Sequence, residues 1–233
     1  MMNLPPLSPA PDSKTAKWGF VYWAFSFALL GSVIALAAAL MGIPITDAQL
    51  NMVYYLINFC AAVAIFRKFL AENWRVAMER IFPTVYYAIL AYLGSQLLTG
   101  IVGMAILRID PDFFNVNDES IQAMLTQDPA LMVLGTVLLA PIAEEVFYRG
   151  LFFRKLYDVR PWVGYAVSMA VFAAIHMVGY IGTYPPLQLL LGCAQYLPAG
   201  YCLCWCYRQT GTILSPILMH ILFNASSIFS LVR

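Results

Sequence analysis

Long runs of apolar residues, separated by short polar stretches, dominate the chain. A helix that crosses a membrane needs about 20 mostly apolar residues, and seven segments meet or approach this length. They are residues 18–41, 51–66, 81–107, 130–153, 162–180, 187–207 and 212–232. The pattern predicts an all-α fold, a polytopic transmembrane helix bundle with seven spans, or eight if the third segment breaks near Gly100 and Gly103.

Composition supports a membrane protein. The chain is 62% hydrophobic and 11% charged, against roughly 45–50% and 25% in soluble domains. The lipid bilayer is therefore the first expected partner, and a net charge of +1 gives no reason to expect nucleic acid. Five cysteines lie in apolar runs without a CxxC pair, which favours small membrane residues over disulfides or metal ligands. They are Cys60, Cys193, Cys202, Cys204 and Cys206.

The distribution of charge predicts the topology. Residues 1–17 are polar and proline-rich, typical of a flexible tail, and residues 18–129 form N-terminal membrane helices and an acidic loop. With the N-terminus inside, eleven lysines and arginines fall in inside segments and two outside, as the positive-inside rule requires. We expect a multi-pass protein, of the plasma (inner) membrane if it is bacterial. The acidic outside loop, 108–129, has helical spacing and predicts a short interfacial helix, a connector or a lid.

Ionisable residues within the predicted spans are the candidate functional groups. Each costs about 2.5–3.5 kcal/mol on insertion scales, so such residues are functional candidates by default. They form three clusters that include both histidines of the chain. The clusters are Glu144, Glu145 and Arg149 in PIAEEVFYRG, Phe172 and His176 in VFAAIHMVGY, and His220 and Asn224 in SPILMHILFN.

Spacing assigns different directions to the two adjacent glutamates. Glu145 and Arg149 are four residues apart, share a helix face and are expected to form an ion pair. Glu144 is rotated from Glu145 by about 100°, so it is free to act as a base. His220 and Asn224 are also four apart and project from one face. By the predicted boundaries, His176 falls closer to the outside than Glu144 and His220 do.

The residues alone leave several functions open. A membrane histidine or asparagine is often a helix–helix hydrogen-bond partner, and a glutamate–arginine pair near the end of a span is often an anchor. A carboxylate, two imidazoles and an amide on three helices also suit water activation and oxyanion stabilisation in amide hydrolysis. A hydrolase, a proton-coupled transporter and a structural polar network therefore remain as alternatives.

The three clusters resemble the CAAX protease and bacteriocin-processing (CPBP, or Abi) family of intramembrane proteases, which includes CAAX prenyl proteases. EExxxR, FxxxH and HxxxN occur in the family's order, and the resemblance covers about residues 130–230. It implies a catalytic helix bundle over 130–233 that hydrolyses a peptide bond of a membrane-associated or modified protein or peptide. It implies that Glu144 is the general base and that His176 helps to hold the attacking water. His220 and Asn224 would donate to the oxyanion. The implied supporting residues are Glu145, Arg149 and Phe172.

The resemblance also bears on cofactors. Glu144, His176 and His220 are alternative zinc ligands, since two histidines and a carboxylate form a catalytic zinc site in other proteases. The chain has no HExxH motif, and the family's mechanism is glutamate-dependent, so we expect no cofactor and keep zinc as the alternative. A non-catalytic membrane protein of the bacteriocin-immunity type is the other alternative.

Overall fold

Eight helices make up the fold in the computed structural model, which describes residues 4–231. Their bounds are α1 Ser13–Leu40, α2 Asp47–Glu79, α3 Ile81–Ile109, α4 Val116–Gln127, α5 Pro129–Val159, α6 Pro161–Tyr180, α7 Pro186–Thr210 and α8 Leu214–Leu231. All except α4 are long and apolar enough to cross a membrane, and residues 4–231 contain no β-strand. The predicted all-α bundle of seven spans is confirmed, and α4 is the short helix predicted in the acidic loop.

The second span extends beyond its predicted end, and the alternative of a broken third span is not observed. α2 continues past residue 66 to Glu79, but Phe66 has non-helical dihedrals (φ −99°, ψ 16°) that kink the helix there. The apolar run therefore ends at the kink, and the charged continuation was not predicted. α3 is unbroken at Gly100 and Gly103, because a membrane helix tolerates glycine when its backbone hydrogen bonds are kept.

α5 lies at the centre of the bundle and is locally irregular. Half of the residues in its most apolar 18-residue stretch are buried, against 17% in the corresponding stretches of α1, α2 and α3. Two π-helical segments, Leu134–Leu139 and Val146–Phe153, flank an α-helical stretch, Ala140–Glu145. A π turn changes which side chains face each neighbouring helix and is frequent at functional sites. The core around α5 includes Phe147, Phe172 and Ile217.

Residues 5–8, here called the N-terminal strap, lie against the ends of three helices. The Ser8 hydroxyl donates to Asn73 Oδ1 at 2.7 Å and its amide donates to the Gly211 carbonyl at 2.8 Å. Arg154 donates to the Ser8 carbonyl and Arg208 to the Pro5 carbonyl, both at 2.8 Å. We expected a flexible tail up to residue 17. In the structure, the buried Arg154 and the half-buried Arg208 use the strap's carbonyls as acceptors, and α1 begins at Ser13, within the predicted tail.

Candidate active site

The α-helical stretch at the centre of α5 presents two adjacent carboxylates to different surroundings. The Glu145 side chain is completely buried, whereas the Glu144 side chain is 24% exposed. This stretch packs against α2 and α8, and the π segment that follows it packs against α6. The two glutamates therefore differ in direction, as their spacing predicts.

Arg149 pairs with Glu145 inside the core. Its Nη1 donates to Glu145 Oε1 at 3.0 Å and its Nη2 donates to the Gly200 carbonyl at 3.3 Å. The guanidinium carbon lies 4.5 Å from the centre of the Phe172 ring, a favourable cation–π distance. The predicted ion pair is present, and because both side chains are buried, neither charge is compensated by solvent if the other is removed.

His220 on α8 also bonds to Glu145, a contact that the sequence did not indicate. Its Nδ1 lies 2.7 Å from Glu145 Oε1, and its Nε2 lies 4.0 Å from Glu144 Oε2. Since an ionised carboxylate only accepts hydrogen bonds, Nδ1 carries the proton and donates to Glu145. Glu145 therefore bridges Arg149 and His220, and it fixes the ring so that Nε2 faces Glu144.

His176 on α6 is fixed by its own helix and by two aromatic rings. Its Nδ1 lies 2.7 Å from the Phe172 carbonyl, so Nδ1 is the protonated nitrogen and Nε2 the acceptor. The imidazole stacks on Tyr196, with ring centres 4.2 Å apart and an interplanar angle of 21°. Phe172 packs edge-on against both His176 and His220. Phe172 therefore sits behind both histidines.

Asn224 lies one helical turn beyond His220 and is bonded to the backbone of α5. Its Nδ2 donates to the Thr136 carbonyl at 2.8 Å, within the first π segment of α5. This bond uses one of the two amide hydrogens and holds the side chain in place. The second hydrogen of the Asn224 amide can donate a hydrogen bond to a bound group.

A cavity of about 490 Å³ joins these side chains. It is lined by Glu144, His176, His220 and Asn224, which come from α5, α6 and α8. His176 shares this cavity with Glu144 and His220, so the difference in depth suggested by the predicted boundaries does not separate them. The geometry places a carboxylate, two imidazoles and an amide around one space.

The site lies within a segment that matches a known family. Residues 126–226 match the family described as type II CAAX prenyl endopeptidase Rce1-like. This segment is similar to the Rce1-like proteases. The match confirms the resemblance to CAAX proteases drawn from the motifs, and it includes all seven candidate site residues. No curated protein and no solved structure matches the chain. With seven membrane-length helices and a protease-family segment, the protein is a multi-pass integral membrane protein.

The donor groups of the Rce1-like segment do not fit a zinc site in this arrangement. Among residues 4–231, no group of three or more His, Cys, Asp or Glu side chains is placed to hold a metal ion. Glu144, His176 and His220 share a cavity without forming a ligand set.

The first half of the chain contributes a polar wall that sequence reasoning missed. Asn51, Tyr54, Tyr55 and Asn58 on α2 all line the cavity. Their spacing of three, four and seven residues places them on one helix face, so the periodicity of polar positions in the second span was the signal. They lie outside the segment that matches the Rce1-like family. The active-site cavity is therefore built by both halves of the protein.

The start of α4 lines one end of the cavity, here called its mouth. Asn115, Asn117 and Asp118 line it together with the C-terminal end of α8. Burial raises the pKa of the Asp118 carboxyl to about 6. The mouth therefore lies on the face of the bundle that carries the acidic loop, and the N-terminal strap lies on the opposite ends of the same helices.

Proposed function

We propose that this protein is an intramembrane endopeptidase that hydrolyses a peptide bond of a membrane-associated or modified protein or peptide, with Glu144 activating water. The protease family of residues 126–226 supports the reaction class. The observation that carries the mechanism is the hydrogen-bonded series Arg149–Glu145–His220, which ends 4.0 Å from Glu144.

The proposed mechanism uses an ionised Glu144 and a His220 that carries a hydrogen on Nε2 as well as on Nδ1. Arg149 neutralises Glu145 at 3.0 Å. A second proton on His220 is balanced by Glu144 across 4.0 Å, so the four side chains together carry no net charge. An unpaired charge is costly in a site of low dielectric, so the proposed mechanism pairs the charge of Glu144 with that of His220. Both partners are then in the state that the chemistry requires.

Hydrolysis follows from these protonation states. Glu144 accepts a proton from a water molecule while the water oxygen forms a bond to the scissile carbonyl carbon. The carbonyl oxygen becomes the oxyanion of a tetrahedral intermediate, and His220 Nε2–H donates to it. Glu144 then gives its proton to the leaving nitrogen as the C–N bond breaks. General base catalysis of this kind contributes about 10²–10⁴-fold.

The remaining site residues have supporting roles in this proposal. His176 Nε2 accepts from the attacking water, because its Nδ1 is held by the Phe172 carbonyl. Asn224 adds a second donor to the oxyanion through the amide hydrogen that the Thr136 carbonyl does not use. A single oxyanion donor in other hydrolases contributes about 10²–10³-fold to kcat.

We further propose that the N-terminus is inside and that the substrate bond enters from the outside face. The basic residues between the spans are concentrated on the side of the strap. Arg149 is fully buried in the bundle and is not a loop charge. Excluding it from the count of basic residues leaves the bias towards the inside intact. Because Asn115, Asn117 and Asp118 form the mouth, the cavity opens on the side opposite this basic face.

Peptide cleavage by the purified protein in liposomes tests the proposal. The substrates are one peptide with a prenylated CAAX end, the same peptide without the lipid, and an unrelated membrane-anchored peptide, with products identified by mass spectrometry. We expect cleavage of at least one substrate by the wild type and a loss of about 10²-fold or more in Glu144→Gln. Glu72→Gln, an exposed glutamate on α2, is the matched control and keeps the wild-type rate.

The assay also separates the alternatives. Full activity of Glu144→Gln would sink the glutamate-dependent mechanism. Specific binding of the peptides without cleavage, unchanged in both variants, points to an immunity-type binder instead. Loss of cleavage on adding a chelator, with recovery on adding zinc, points to the zinc-dependent alternative.

A further inference from the structure

The short helix α4 is joined to the active site by polar contacts. Asn115 begins the helix: its Oδ1 accepts from the amides of Asn117 and Asp118 at 3.0 and 3.3 Å. Its Nδ2 donates to Gln195 Oε1 on α7 at 2.8 Å. The first turn of α4 is therefore held to α7 by side chains at the mouth of the cavity.

Asn117 makes the contact that reaches furthest inward. Its Nδ2 donates to the hydroxyl of Tyr196 at 3.0 Å. The ring of Tyr196 is the surface on which His176 stacks at 4.2 Å. One residue of α7 thus contacts α4 through its hydroxyl and a candidate catalytic imidazole through its ring.

The imidazole of His176 depends on this ring. Its one hydrogen bond goes from Nδ1 to the Phe172 carbonyl of its own helix, and that bond fixes one edge of the ring. Phe172 supports a second side, edge-on at 4.8 Å. The parallel face is covered by Tyr196, so a shift of Tyr196 changes where His176 Nε2 points in the cavity.

α4 itself has little apolar packing to hold it. Only Val116 and Leu125 are buried along its 12 residues. Elements with few buried apolar contacts open at low free-energy cost. The polar contacts of its first turn are therefore the ones that hold this end of α4 over the mouth.

We propose that Tyr196 is a positioning residue, whose ring holds His176 in the cavity and whose hydroxyl makes that position depend on the seated α4. This rests on the proposed function, since His176 is placed there as the residue that orients the attacking water. It goes beyond the family motifs, which contain neither Tyr196 nor Asn117. The acidic loop then acts as a cover that completes the site when it is in place.

Nuclear magnetic resonance of the ¹⁵N-histidine-labelled protein in micelles tests the tie without any substrate. His176 and His220 are the only histidines, so the rings give two sets of signals, assigned with His176→Gln. Asn117→Ala removes the bond to Tyr196 and changes neither ring. We expect it to shift the His176 signals and leave those of His220 in place. Thr126→Ala, exposed at the far end of α4, is the control and shifts neither.

Kinetics with a cleaved peptide complete the test. Tyr196→Phe keeps the stacked ring and loses the hydroxyl, so we expect a fall in kcat of about 2–10-fold, the range of one hydrogen bond, with KM unchanged. Asn117→Ala gives the same fall, and the double variant is no worse than either, because both remove one bond. Tyr201→Phe, 43% exposed on the same helix, keeps the wild-type kcat.

The two readouts distinguish the failure of each idea. His176 signals that do not move in Asn117→Ala, or a wild-type kcat in Tyr196→Phe, overturn the positioning role. A wild type that cleaves nothing overturns the proposed function, and in that case the His176 signals still decide whether α4 and His176 are connected through Tyr196.

Discussion

Replacing Gly211 with alanine tests whether the N-terminal strap presses on the turn between α7 and α8. Gly211 ends α7 with a φ of +76°, a left-handed conformation that costs a residue with a Cβ about 1–2 kcal/mol. A Cβ at this position would also lie closer to the Pro6 carbonyl oxygen than van der Waals contact allows. The strap must therefore move away in the variant.

The magnitude follows from the bonds that the strap makes. Moving it weakens the bond from the Ser8 amide to Gly211 and the bond from the Ser8 hydroxyl to Asn73, each of which contributes about 0.5–1.5 kcal/mol. The bond from Arg154 to the Ser8 carbonyl involves a charge and contributes about 1.5–3 kcal/mol. Allowing for partial recovery, we expect a loss of about 2–4 kcal/mol beyond the conformational cost.

The assay is thermal unfolding in detergent micelles, followed by near-ultraviolet circular dichroism. Gly182→Ala is the matched control, because Gly182 has a φ of +88° and nothing within 4 Å of a Cβ. It shares the conformational cost and lacks the clash. A loss of 1 kcal/mol lowers Tm by about 2–4 °C in a chain of this size, so Gly211→Ala should melt about 5–15 °C below Gly182→Ala.

Equal melting temperatures for the two alanine variants would refute the packing of the strap against Gly211. A truncation gives a second check on the same reasoning. In a chain that lacks residues 1–8, the Pro6 carbonyl is gone, so Gly211→Ala should cost no more than Gly182→Ala. An undiminished cost in the truncated chain would place its cause elsewhere.

Three further predictions concern charge and metal. Arg149→Met should destabilise the protein by about 3–5 kcal/mol in the same melting assay, because it leaves Glu145 buried without its partner, and adding Glu145→Gln should recover part of the loss. Burial raises the pKa of Asp118 to about 6, so the folded state binds more protons than the unfolded state between about pH 4 and 6. Stability should therefore fall as pH rises through that window, and Asp118→Asn should flatten the profile. Peptide cleavage should keep its rate in 1,10-phenanthroline, whereas loss of activity that zinc restores would contradict the metal-free mechanism.

The spans were predictable because hydrocarbon burial has a fixed length scale, and the charged extensions were not. The second half of α2 carries ion pairs of Arg75 with Glu72 and Glu79 on its exposed face. Such a helix continues beyond the apolar run, and the length of apolar sequence needed to cross a bilayer does not predict where it ends. Likewise, the composition of residues 5–8 indicates a flexible tail. It cannot show that Arg154 and Arg208 donate hydrogen bonds to the carbonyls of these residues.

Within the candidate site, contacts along one helix were predictable and contacts between helices were not. The pair of Glu145 with Arg149 follows from a spacing of four residues. The bond from His220 to Glu145 depends on how α8 packs against α5, and no spacing encodes it. The stacking of Tyr196 on His176 is of the same kind. The motifs therefore named polar groups that line one cavity, while the packing of helices determines how they are oriented.

Glu145 explains why two adjacent carboxylates occur inside a membrane bundle. In the proposed mechanism, a single buried carboxylate opposite His220 would have both to orient the imidazole and to accept a proton from water. Here Glu145 accepts from both Arg149 and His220 through one oxygen, Oε1, and its charge is balanced by Arg149. Glu144, partly exposed to the cavity, lies on the other side of the same imidazole, where the proposed mechanism uses it as the base. The insertion cost of the second carboxylate is thus offset by the ion pair, and its effect is to give the first a partner of fixed orientation.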